Sequence, residues 1–142
     1  MNIMYQWFEV SFQEESKDRW HLRLRNGETS LSASLQAAPS TTAKTRFTIL
    51  ENNGLAFDHA SILASAMDTL RREGEKMETV FAFLPEKFTL LALQKVQETL
   101  LGISLLTANF RRKIADFVEE TDEYTEGAGH RPARLFRKKT LL

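Results

Sequence analysis

The stretch that decides the fold is residues 88–136, FTLLALQKVQETLLGISLLTANFRRKIADFVEETDEYTEGAGHRPARLF. Thr89 is a capping residue type placed just before a helical apolar pattern. Leu93, Val96 and Leu100 fall on one stripe with Leu90 and Leu101 beside it, which predicts a helix over 90–101. Gly102 then supplies the left-handed residue that ends it. A second helix is predicted over 106–118, with Ser104 or Thr107 as its cap. Phe110, Ile114 and Phe117 are spaced i, i+4, i+7 and are expected to face the core, because three large apolar groups are costly to leave wet. Residues 119–124 read as a strand, 125–129 as a Gly-rich turn and 130–138 as a basic return strand. Helix, tight turn, helix and hairpin in that order make a winged helix-turn-helix.

The apolar stripe of the second helix fixes what its other face offers. At about 100° per residue, Arg112 points away from the core, and Arg111 and Lys113 take the shoulders. Ala108, Asn109, Ala115 and Asp116 flank Arg112. Small residues, one amide and a protruding arginine suit a DNA major groove. There Arg112 can pair with guanine and Asn109 with adenine, while Arg111 and Lys113 hold phosphates. Thr107 sits at the helix start, where free N–H groups favour a phosphate. In the hairpin, His130, Arg131 and Arg134 could reach phosphates or a minor groove. The acids Glu119, Glu120, Asp122, Glu123 and Glu126 imply that only one strand of the wing does so. Residue physics leaves a second use equally open, in which the same helix only covers a core or another protein.

Working outward, residues 5–12 and 19–25 read as strands, joined by a charged connection at 13–18. In RWHLRLR, Trp20, Leu22 and Leu24 share one face, with Arg19, His21, Arg23 and Arg25 on the other, as in a half-buried antiparallel strand. Asn26-Gly27 signals a hairpin turn into a strand at 29–36. Residues 37–45 read as a loop, 46–50 as a strand and Asn52-Asn53-Gly54 as a turn. A long helix follows, with Asp58 as cap, a buried stripe of Ile62, Leu63, Ala66, Met67 and Leu70, basic residues Arg71 and Arg72 in the last turn, and Gly74 as its end. His59 beside Asp58 is not a catalytic pair, since neighbours on a helix do not face each other. Residues 79–84, TVFAFL, read as a short strand that Pro85 breaks. The fold class is therefore α+β, with a β-rich portion and long helix at 1–78 and the winged helix-turn-helix at 79–142.

Formal net charge is zero, which argues against a general polyanion binder. Residues 1–79 nevertheless carry nine Lys and Arg against eleven Asp and Glu, whereas residues 80–142 carry ten against eight. A basic tip on a neutral body fits a local phosphate contact. The chain has no cysteine, which removes disulfides, thiolate zinc sites and cysteine nucleophiles and fits a cytoplasmic setting. No apolar run is long enough to span a membrane, and the start lacks the features of a signal peptide.

Several stretches together resemble a known family: GLAFDH (54–59), Leu70-Arg71, FLPEKFTLLALQ (83–94), LLG (100–102), NFRRK (109–113) and RPARLF (131–136). In order and spacing they resemble the C-terminal part of Nudix-related transcriptional regulators of the NrtR type, and of Nudix hydrolases with the same C-terminal domain. The resemblance implies a partial Nudix-like antiparallel body followed by a winged helix that binds double-stranded DNA. It also implies an ADP-ribose-type effector bound by the full-length protein, with Asn109, Arg111, Arg112, Lys113 and Arg131 facing DNA. The Nudix box, G-x5-E-x7-R-E-x-x-E-E-x-G, whose glutamates hold Mg²⁺, is absent: Arg72-Glu73 continues as Gly74-Glu75-Lys76-Met77. The chain is thus expected to correspond to the back portion of a longer protein, with no catalytic residue, metal site or cofactor of its own. The main expectation is the DNA-binding portion of a regulator that works as a homodimer. The alternative is the C-terminal fragment of a hydrolase of ADP-ribose-like diphosphates with a structural winged helix. Self-association through an open edge of the strands at 5–36 is a third reading.

Overall fold

The computed structural model describes residues 3–39, 44–127, 129 and 131–140. It divides into two compact units, Met1–Thr69 and Leu70–Leu142. The division falls inside a helix, α1 (His59–Glu73). Antiparallel sheets and helices alternate in blocks, which makes the class α+β.

The first unit is a four-stranded antiparallel meander, β1 (Glu9–Ser16), β2 (Arg19–Asn26), β3 (Thr29–Ala38) and β4 (Arg46–Asn53), in that spatial order. Registers Phe12↔Leu22 and Leu22↔Ala33 put one apolar set on one face. Phe12, Leu22, Ala33, Leu35 and Phe47 are buried there with Ala60 and Ala64 of α1. Each fully buried large side chain contributes about 1.5–3 kcal/mol. Phe12 stacks on Trp20 at 4.7 Å between ring centroids, and Phe47 meets Phe12 edge-on at 5.5 Å.

Several boundaries differ from the sequence reading. The first strand begins at Glu9 and runs through the charged residues to Ser16, because every second residue can be solvated on an outer strand. The β1–β2 turn is Lys17-Asp18 alone, with Asp18 at φ 61° and its N–H bonded to Glu14 Oε1 at 2.9 Å. In the β2–β3 hairpin Asn26 pairs with Thr29, so the two loop residues are Gly27, at φ 53°, and Glu28. β3 reaches Ala38, which shortens the loop expected at 37–45, and residues 40–43 of that loop lie outside the described residues. Asn52 and Asn53 still belong to β4, and the Asn52 amide bonds both the N–H and the C=O of Leu55 (3.1 and 2.7 Å) to turn the chain.

The buried stripe of α1 is rotated from the expected one. Ala60 and Ala64 are fully buried with Leu63 and Met67 packed beside them, whereas Ile62 is 57% exposed and Ala66 is exposed. Two alanines let the helix approach the sheet closely, and the Ser61 hydroxyl donates to the Phe47 carbonyl at 2.7 Å. The Asp58 carbonyl accepts from the Ile62 N–H at 3.1 Å, while His59 donates its N–H to the Ala56 carbonyl and meets the Phe57 ring edge-on.

In the second unit, the stretch read as a strand at 79–84 is a helix, α2 (Met77–Ala82). A short apolar run fits either period; Met77 and Val80, one turn apart, are both buried. β5 (Lys87–Phe88), α3 (Leu90–Leu101), α4 (Thr107–Ile114), β6 (Val118–Tyr124) and β7 (Arg134–Lys138) follow. The wing is a three-stranded sheet of order β5-β7-β6, not a simple hairpin, and its return strand starts at Arg134. The core joins Met77, Val80, Phe88, Leu93, Leu100, Phe110, Ile114 and Val118. Among the described residues no helix is long and apolar enough to cross a membrane.

Candidate nucleic-acid interface

α3 opens and closes as its residues dictate. Thr89 accepts the Ala92 N–H at 3.0 Å, and Gly102 takes the left-handed conformation (φ 70°, ψ 24°) with its N–H on the Glu98 carbonyl. α4 is only eight residues long and ends at Ile114. Leu106 is its cap and makes no side-chain capping bond, so neither Ser104 nor Thr107 caps it; Thr107 is the first helical residue. Val118 has already entered β6, and Phe117 lies in the intervening turn, 41% exposed instead of buried. The buried anchors of α4 are thus Phe110 and Ile114.

The outward face carries what the sequence expects. Thr107, Ala108, Asn109, Arg111, Arg112 and Lys113 are all exposed, and α4 contains no acid. Among the described residues, none of Arg111, Arg112 and Lys113 forms an ion pair with a carboxylate. Three adjacent cations on one short helix, without a carboxylate partner among the described residues, attract an anion.

Beneath this face lies a polar clamp. Gln94, 7% exposed, donates from Nε2 to the Leu105 carbonyl (3.0 Å), Glu98 Oε1 (3.2 Å) and the Thr107 hydroxyl (3.3 Å). Glu98 Oε1 also accepts the Leu105 N–H at 2.9 Å. The Leu105 N–H first, and then Gln94, hold the Glu98 carboxyl below the usual carboxylate range. Gln97, 2% exposed, donates to the Gly74 carbonyl at 3.1 Å. Gly74 is packed so closely on Leu100 that a Cβ would lie 2.8 Å from the Leu100 Cβ.

Four cations of the wing are paired internally. Arg134 donates to Glu120 Oε2 at 2.5 Å and to the Tyr124 hydroxyl at 2.6 Å, Arg137 donates to Glu119 Oε1 at 2.5 Å, and Lys87 pairs with Glu123. Lys138 reaches Glu78 at 3.2 Å and sits over the Phe81 ring. Arg131 is exposed and has no ion pair among the described residues; His130 lies outside them. Glu119, Glu120 and Glu123 of β6 are therefore braces across the sheet. Among the described residues no group of three His, Asp or Glu side chains could hold a metal ion.

Residues 80–138 match the family described as the NrtR DNA-binding winged helix domain. This part of the chain is similar to a winged helix domain of the NrtR type. The chain is 39% identical over 85 residues, 58% of its length, to the ADPR responsive transcriptional repressor NtrR of Acinetobacter baylyi. It spans 34% of the length of that curated relative. The crystal structure of Shewanella oneidensis NrtR complexed with a 27mer DNA aligns at TM-score 0.48 and 37% identity, over 61% of this chain and 40% of that one. A MutT/nudix family protein from Enterococcus faecalis aligns over 95% of this chain and 46% of its own, at TM-score 0.56 and 25% identity. The likeness to the Enterococcus Nudix protein extends over the β-rich portion as well as residues 80–138.

Within the NrtR-type domain, the apolar stripe led to α3 and α4 but not to Gln94, Gln97 and Glu98. A signal was present: Gln94 and Glu98 are one turn apart, and Gln94 is buried with Leu93 and Gln97. Nothing in a single sequence shows that their partner is a backbone unit eleven residues from Gln94.

Proposed function

We propose that this chain is the DNA-binding portion of a transcriptional regulator and that α4 of its NrtR-type domain enters a major groove. The observation that carries the reading is that Arg112 lies opposite the buried Phe110 and Ile114, with Arg111 and Lys113 on the shoulders and none of the three paired with a carboxylate among the described residues. Arg112 and Asn109 read bases; Arg111, Lys113 and Thr107 contact phosphates; Arg131 reaches the backbone from the wing, with His130 assigned to the same tip on sequence grounds. Arg134, tied to Glu120 and Tyr124, braces the wing instead. In the full-length protein an ADP-ribose-type ligand sets DNA affinity, two copies each read a half-site, and the protein works in the cytoplasm. The name of the Acinetobacter relative and the family match at 80–138 support this reading. A mobility shift with the DNA upstream of its own gene, with and without ADP-ribose, tests it: retardation that a scrambled duplex does not give is expected.

The second reading, a hydrolase fragment with a structural winged helix, draws on the likeness to the Enterococcus Nudix protein. The regulator reading expects no Mg²⁺-dependent turnover of ADP-ribose by the pure 142-residue chain. Measured release of AMP would favour the hydrolase.

A further inference from the structure

We propose that Gln94 and Glu98 are positioning residues for the reading helix: by gripping Leu105 they set the angle at which α4 leaves α3, so that base discrimination depends on two side chains facing away from DNA. This rests on the DNA-binding reading above.

An eight-residue helix is too short to hold its own shape or direction, and α4 has two buried anchors, Phe110 and Ile114. Its direction must come from the turn before it. In that turn the Gly102 and Ile103 N–H groups finish α3 on the Glu98 carbonyl, and the Phe110 N–H begins α4 on the Leu106 carbonyl. Between these, both backbone groups of Leu105 are taken by side chains of α3: its N–H by Glu98, its C=O by Gln94. The same Gln94 amide reaches the Thr107 hydroxyl in the first turn of α4. Two amide hydrogens are shared among three acceptors, with the Leu105 carbonyl nearest. Leu105 meanwhile packs its side chain on the domain core. Turn and helix start are thereby held from one point on α3. Without that point, Arg112 keeps its charge but loses its fixed place over a base edge.

Amide hydrogen exchange on the full chain, paired with DNA binding, tests the clamp. Gln94→Leu is expected to lower protection about tenfold at 110–114 and little at 93–97, since it removes the hydrogen bonds to the Leu105 carbonyl and the Thr107 hydroxyl. Preference for the upstream DNA fragment over a scrambled duplex of equal composition should fall about tenfold, while binding to the scrambled duplex stays, because the cations remain. Glu98→Ala should act likewise, and Glu98→Gln, which keeps an oxygen for the Leu105 N–H, should restore most of both. Equal loss of protection in α3 and α4, no loss in α4, or loosened α4 with unchanged preference would each overturn the proposal. If the wild-type chain does not distinguish the two duplexes, the DNA-binding reading fails and the exchange result alone decides the clamp.

Discussion

α4 and the wing of this domain both cluster cations and put most of them to opposite use. On α4, Arg111, Arg112 and Lys113 stand exposed with no carboxylate partner among the described residues. On the wing, Lys87, Arg134 and Arg137 are each committed to an acid of β6, and Lys138 to Glu78. Read as a string, the C-terminal strand is the more basic of the two, since residues 127–142 hold five Lys and Arg and no acid. Folded, three of those five, Arg134, Arg137 and Lys138, are paired with acids. A formal charge attracts a distant anion only to the extent that no nearer one has claimed it. Pairing across the sheet decides that, and pairing across a sheet depends on register.

The comparison breaks first at Arg112. Arg112→Ala should cost about 1–3 kcal/mol of affinity at a specific site and flatten the preference for one base pair, measured by titrating single-substituted duplexes. Unchanged affinity would take α4 out of the groove. Lys113→Ala should do less and do it evenly: all sequences weaken, and the slope of log affinity against log salt falls by about one.

A smaller effect concerns the support under α4. Glu98 is held below the usual carboxylate range by the Leu105 N–H, then Gln94, with Lys95 at 3.7 Å as a lesser neighbour. Its folded-state pKa is lowered, so the unfolded chain binds more protons in that window. The stability it contributes is present above the ordinary carboxylate range and is lost as pH falls through the lowered value. Thermal unfolding of wild type and Glu98→Gln should therefore differ most near neutral pH and converge in acid. Glu73, lowered chiefly by its hydrogen bond from Lys76, is common to both proteins and cancels.

The smallest effect should be on the wing. Arg134→Ala is expected to leave DNA affinity nearly unchanged and to lower the melting temperature slightly, because it loses a solvent-screened pair with Glu120 and the bond to Tyr124. A loss of affinity like that of Arg112→Ala would erase the contrast between the two regions.

By itself the sequence determined the parts that local rules govern. Thr89 caps and Gly102 ends α3 because a side-chain oxygen and a missing Cβ suffice, whatever the surroundings. Trp20, Leu22 and Leu24 give β2 its period, and Phe110 with Ile114 turns Arg112 outward. Only the tertiary structure decided the rest. Most of the run at 79–84 became helix, as part of α2, because Met77 and Val80 meet the core one turn apart, a choice that a six-residue apolar run leaves open. The stripe of α1 rotated onto Ala60 and Ala64 because the sheet rewards close approach over side-chain size. Phe117 came out of the core because α4 stops at Ile114, where the chain turns into β6. The clamp of Gln94 and Glu98 on Leu105 and the pairing of Arg134 with Glu120 join residues distant in sequence, so they exist only once the chain has brought them together.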